Sequence, residues 1–196
     1  MPPATTTPQD SPPVTLVGVA AACWAAVGLC GLLLFAIVRL SMVVAEGAEF
    51  SWEWRHWAVA AANAAFMAWS EGYRGFQLKF SPRSAARVKW LVHHASGLST
   101  LLAPVFAMGY FNATPRRMAG VYGLTVFVVG AIVVVHALPQ PWRAALDIGV
   151  VIGLAWGVAS FLWSLKRTFA TPGFPVSPEL ADAAAPLRAT RIKAAP

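Results

Sequence analysis

Glu71, His93, His94, His136 and Asp147 are the residues of this chain whose chemistry most needs explaining. Each borders a long apolar run, where an ionisable group is costly to hold and, when held, faces a bundle interior or a wet cavity. Arg74, Arg83, Arg87 and Arg143 lie near them in sequence and supply guanidinium groups suited to an anionic headgroup. Three chemistries fit such a set. The arginines and the cluster can hold the head of an amphiphile or lipid. An imidazole from His93 or His94, with His136, can ligate a b-type haem axially, or the histidines can join Glu71 and Asp147 around another metal. A layer of carboxylates and imidazoles can also relay protons, although only the merely polar Asn63, Ser99 and Thr100 continue it towards the far side. A plainer arrangement uses the same residues, with Glu71 and Asp147 snorkelling to the interface or paired locally with Arg74 and Arg143, and the histidines resting at an interface as rings.

The elements that must position these groups are five apolar stretches, at residues 14–38, 56–70, 90–111, 121–138 and 144–165. A hydrocarbon core of about 30 Å takes about 20 helical residues to cross. Barrel strands would alternate apolar and polar side chains, and these runs do not. The pattern therefore predicts an all-α integral membrane bundle of five transmembrane helices over residues 14–167. With 58% of the chain hydrophobic and 12% charged, no separate soluble domain is expected. Residues 1–13 and 168–196, rich in proline, read as mobile tails. The first run is too long for the core of a signal peptide and lacks a basic lead, so it reads as a permanent anchor.

Five crossings place the N-terminus, a loop over residues 71–90 and the turn at 139–143 on one side, and the two tails on opposite sides. Trp90 and Trp142 then mark one interface. His93, His94 and Asp147 fall roughly 5–8 Å inside it at about 1.5 Å per residue. Glu71 ends the second span and His136, three residues before Pro139, closes the fourth, so four helices bring ionisable groups to one layer. His93 and His94 point about 100° apart, and His94 is the one expected to face the centre. His56, beside Trp54 and Trp57, reads as an interfacial side chain on the other side.

Proline sets the expected helix starts, at Ser81-Pro82, Thr114-Pro115 and Pro141, because a first-turn N–H has no helical partner to lose. The start at Ser81 makes a basic helical collar of Arg83, Arg87 and Lys89, expected to lie against anionic headgroups. Pro104 is expected to kink the third span and free a carbonyl near Thr100. In the fifth span Gly149, Gly153 and Gly157 form a face for close helix contact, within the chain or with another protomer of a homo- or hetero-oligomer. Gly18, Ala22 and Ala25 offer a weaker version of that face in the first span.

A formal charge of +7 and a pI near 10.1 would suggest nucleic acid in a soluble protein. Here the basic residues flank apolar runs, where they meet lipid phosphates, so membrane lipids are the expected partners and nucleic acid is not. Basic residues near the membrane divide evenly between the two sides, and their crowding in residues 74–89 favours a cytoplasmic N-terminus in a cytoplasmic, inner membrane. Cys23 and Cys30, seven residues apart in one span, read as small apolar side chains. There is no Ser-His-Asp order, no glycine-rich phosphate loop and no H-E-x-x-H, so no enzyme motif stands out. Small size, five expected spans and nine tryptophans make the chain similar in outline to the tryptophan-rich sensory proteins, which bind porphyrins and sterols. That family's loop pattern is absent, and no residue role follows from the resemblance. The functional expectation is a non-catalytic bundle that binds a lipid-like ligand or a membrane partner at the polar layer, with a haem- or metal-binding redox subunit as the alternative.

Overall fold

The computed structural model describes residues 13–180, which bounds the tails: the 1–12 and 181–196 segments lie outside the described residues. The described chain is all helical. Its elements are α1 (Leu16–Gly47), α2 (Trp54–Met67), a π-helical segment (Ala68–Phe80), α3 (Ser81–His94), α4 (Gly97–Leu101), α5 (Ala103–Met108), α6 (Pro115–His136) and α7 (Trp142–Ala170). Three of them, α1, α6 and α7, are long and apolar enough to cross a membrane.

The expected loop over residues 71–90 is not there. Helix α2, the π-segment and α3 follow one another without a break and make one rod over residues 54–94, so no reversal separates the expected second and third spans. Pro82 falls inside this rod instead of starting a helix. A proline ring clashes with the carbonyl four residues back, and the wider turn of the π-segment, which ends just before Ser81, gives the ring room. The two other proline expectations hold. Pro115 opens α6 behind Thr114, and Pro141 precedes α7. At α1, the Thr15 hydroxyl accepts the Gly18 N–H at 3.0 Å and caps the helix.

Small residues set the packing. The Gly18, Ala21, Ala22, Ala25 and Leu29 stripe of α1 is buried, and a Cβ on Gly18 would run into the Val92 carbonyl of α3. Further along, a Cβ on Gly47 would run into Ala144 of α7. The bundle thus has a Thr15 end, where α1 meets the close of α3, and a Gly47 end, where α1 meets the start of α7. The rod starts at the Gly47 end, with His56 against Trp142 at 4.4 Å between ring centroids. It finishes at the Thr15 end, where Lys89 reaches the last residues of α7.

Helix α6 begins beside Glu179, through Thr114, and ends at the turn into α7. Thus α1, the rod, α6 and α7 each run the length of the bundle in alternating directions. Thr15 and Glu179 lie at the same end, contrary to the expected opposite tails. The main core sits near that end, where Ala25, Leu29, Leu91, Phe106 and Phe161 meet, and Leu180 joins it. The first described residues of the expected C-terminal tail are accordingly part of the packed structure: α7 continues to Ala170 and the segment after it is tied down.

Helices α4 and α5 replace the expected straight third span. The helix stops at His94, restarts at Gly97 behind Ser96, and turns again at Leu102 before Pro104. The proline effect is larger than a kink, and the Leu101 carbonyl accepts the Trp24 indole N–H at 3.1 Å. Pro104 packs where a Cβ on Gly28 would lie, which seats this broken segment on α1.

Candidate functional site

The expected layer of five ionisable residues divides among three places. Midway along the rod, Glu71 lies opposite Gly153 of α7 and Arg74 is exposed. Neither has a hydrogen bond or ion pair among the described residues, so the expected local Glu71–Arg74 pair does not form. His93 and His94 close α3 at the Thr15 end. His94 is exposed and stacks on Trp90 at 4.5 Å, while His93 is half-buried, so the face chosen for His94 is corrected. His136, Arg143 and Asp147 form the third group, at the Gly47 end.

In that third group Arg143 bridges the other two. Its Nε is 3.9 Å from an Asp147 carboxylate oxygen, and its Nη2 is 3.4 Å from His136 Nε2. Asp147 is 4% exposed, and the carboxylate oxygen facing Arg143 has no hydrogen-bond partner. Next to it, Asn63 of α2 donates to the Leu146 carbonyl at 2.7 Å. The structure therefore brings His136, Arg143 and Asp147 together and leaves Glu71, His93 and His94 elsewhere. The imidazoles expected to flank a haem iron are not brought together, because His136 lies at the Gly47 end of the bundle and the His93–His94 pair at the Thr15 end. No group of three or more His, Cys, Asp or Glu able to hold a metal ion occurs among the described residues.

The basic collar is also reassigned. Arg87, expected to meet headgroups, is wholly buried. Its Nε donates to the Phe106 carbonyl at 2.7 Å, Nη2 to Phe111 at 2.8 Å and Asn112 at 3.2 Å, and Nη1 to Asn112 at 3.2 Å and Pro178 at 3.1 Å. All five guanidinium donors are thereby used. The ring of Phe106 lies 4.0 Å from the guanidinium carbon. Lys89 does the same at α7, donating to the carbonyls of Thr168, Thr171 and Gly173 at 2.7–2.9 Å. Lys89 thus binds carbonyls at the C-terminus of α7, where positive charge is favoured, while Arg87 binds the close of α5 and loop carbonyls on either side of it in the fold. Arg83 and Arg117 share Glu179, at 3.4 and 3.3 Å.

His56 is a residue whose place the sequence did not reveal. It is buried rather than interfacial, and its Nδ1 accepts the Glu53 N–H at 2.9 Å. This is a capping-box arrangement with histidine at the third helical position, a pattern readable from Glu53-x-x-His56. Arg55 hydrogen-bonds the exposed Glu53 carboxylate and holds its pKa below the usual range.

A groove of about 730 Å³ runs along the outer side of α7. Leu78 and Gln77 of the rod form one wall, and Ile152, Trp156 and Trp163 form the other, with Arg167 at the Thr15 end. Gln77 accepts the Trp156 indole N–H at 2.8 Å and fixes that ring. The signal for it lies in α7: Trp156 and Trp163 are seven residues apart, and Ala155 and Ala159 on the same side leave space between them. No protein-family model, no curated protein and no solved structure matches this chain.

Proposed function

We propose that this chain is a multi-pass, non-catalytic membrane protein that holds a lipid-like amphiphile with an anionic head against the outer side of α7. The observation that carries the reading is the groove itself. Its walls of Leu78, Ile152, Trp156 and Trp163 suit an acyl chain, and Arg167, with Ser164 and Thr168 beside it, stands at one end where a negative head would sit. An aromatic and aliphatic cleft with a few polar groups at one end is what an amphiphile needs, since the head must stay near water while the tail leaves it.

In this reading α1, the rod, α6 and α7 each cross once. Four crossings replace the five expected, and Thr15 and Glu179 share a face of the membrane. The rod crosses with its polar π-segment packed on the α7 glycines.

Lipid retention tests the proposal. The full chain, reconstituted in nanodiscs of equal phosphatidylglycerol and phosphatidylcholine and then transferred to detergent, should retain phosphatidylglycerol in excess when read by native mass spectrometry. Ala159→Trp, which fills the groove, should abolish retention, and Arg167→Gln should remove the preference for the anionic lipid. Equal retention of both lipids by all three proteins rejects the reading.

A further inference from the structure

The π-segment places a charged face at mid-height of the apolar bundle, and no other part of the described chain answers it. Its height is set by α7: Glu71 lies opposite Gly153, Gly72 against Trp156 and Phe76 against Gly157, around the middle of that helix. A π-helix hydrogen-bonds from residue i to i+5, so residues four to five apart return to one side. Ser70 and Arg74, with Glu71, Gly75 and Lys79, form two such adjacent rows. Arg74 and Lys79 are exposed, and Ser70 and Glu71 half-buried. The Ser70 hydroxyl bonds back to its own helix at the Phe66 carbonyl, and Glu71, Arg74 and Lys79 have no hydrogen bond or ion pair among the described residues.

We infer that this face is an interface with a second copy of the same chain, the two copies related by a two-fold axis along the membrane normal. The inference rests on the membrane reading above, because only at bilayer depth do these charges need a protein partner. Ionisable groups at that depth pair with one another or face a wet interior. Lipid tails offer them nothing, and lipid phosphates lie at the interface. The face carries both signs. A two-fold axis along the normal keeps equal depths opposite each other, and Glu71 and Arg74 differ in depth by less than one turn. Glu71 of each copy then meets Arg74 of the other, with Lys79 one further turn along, and each contact occurs twice. A patch of one sign would require a different protein. A patch of mixed sign is complementary to itself.

Cross-linking in membranes decides it. The full chain carrying Cys23→Ser, Cys30→Ser and Ser70→Cys, in lipid vesicles, should give a disulfide-linked dimer on oxidation. The same background with Gly31→Cys, at an open position on α1, should give none. Glu71→Arg alone and Arg74→Glu alone should lose the cross-link, and the double exchange should restore it, a recovery that misfolding of either single variant cannot mimic. Absence of the Ser70→Cys dimer in protein that resists carbonate extraction overturns the inference and leaves the membrane reading standing. So does a double exchange that stays monomeric while its circular dichroism matches the parent, or cross-linking only to a different polypeptide in native membranes. Extraction of the protein by carbonate overturns the membrane reading, and the inference falls with it.

Discussion

Helices α6 and α7 are both long and apolar enough to cross a membrane, with mean hydropathies of 2.4 and 1.9, yet they are used in opposite ways. In α7, 39% of the most apolar window is buried, whereas in α6 none of it is. Both helices carry glycines. A Cβ on Gly157 of α7 would lie 2.9 Å from the Phe76 ring, and one on Gly149 would run into Asn63, whereas Gly120, Gly123 and Gly130 of α6 have open space around them. Apolarity therefore makes a helix suited to lipid, and the spacing of small residues decides whether another helix comes close. The glycines of α7 repeat every four residues on one face. Those of α6 do not, and the valines between Gly123 and Gly130 are exposed.

The α7 glycine face packs against the rod of the same chain: Asn63, Met67, Glu71 and Phe76 lie against the places where Cβ atoms on Gly149, Gly153 and Gly157 would stand. Filling it is the most direct way to break the comparison. Gly149→Leu should be more damaging than any substitution in α6, because it overpacks the seam and displaces Asn63 from the Leu146 carbonyl. Together these effects cost about 3–5 kcal/mol. Thermal unfolding in detergent measures it. Gly153→Leu should cost less, since a Cβ there meets Glu71 and Met67 only at ordinary contact, 3.4–3.8 Å.

The next largest effect sharpens the comparison at the Thr15 end, where both helices are anchored. Arg87 ties the close of α5, and through it the approach to α6, to the segment following α7. Replacing its planar fork by a point charge leaves several carbonyls without donors, so Arg87→Lys should cost about 2–3 kcal/mol despite keeping the charge. The same unfolding measurement checks it, and a change within about 0.5 kcal/mol would show that water or lysine can replace the fork. Lys89→Met acts on α7 alone and should cost about 1 kcal/mol. Its signature is local: amide exchange should accelerate in the last turn of α7 and leave the Gly149–Asn63 seam unchanged.

What the sequence made legible follows the same division. The helical class, the three long apolar helices, the starts at Pro115 and Pro141 and the role of the α7 glycines can all be read from composition, breakers and spacing. The path of residues 71–90 cannot. Gly72, Gly75 and Pro82 in a polar stretch look like a turn, but Gly72 makes room for Trp156 and Pro82 is accommodated behind a π-helical turn. That one reversal carried the topology after it. Remove it and His136, Arg143 and Asp147 move to the opposite end from His93 and His94, so a layer built on shared depth divides. The arginines misled for a related reason: a buried cation that binds carbonyls looks, in sequence, like one that binds headgroups.

The smallest predicted effect is the most telling, because its sign should differ from the rest. Gly130 lies in the interior of α6 with nothing within 4 Å of an added Cβ. Leucine there clashes with nothing in the chain and recovers the backbone entropy that glycine loses on forming helix, about 0.5–1 kcal/mol. Gly130→Leu should therefore be neutral or slightly stabilising in detergent, where Gly149→Leu unfolds the bundle. It should also leave the Ser70→Cys cross-link in vesicles unchanged, since α6 is no part of the inferred interface. If Gly130→Leu instead lowered stability or cross-linking, α6 would have a protein neighbour in the membrane. The contrast between the two helices would then be one of partner, internal for α7 and external for α6, in place of packed against bare.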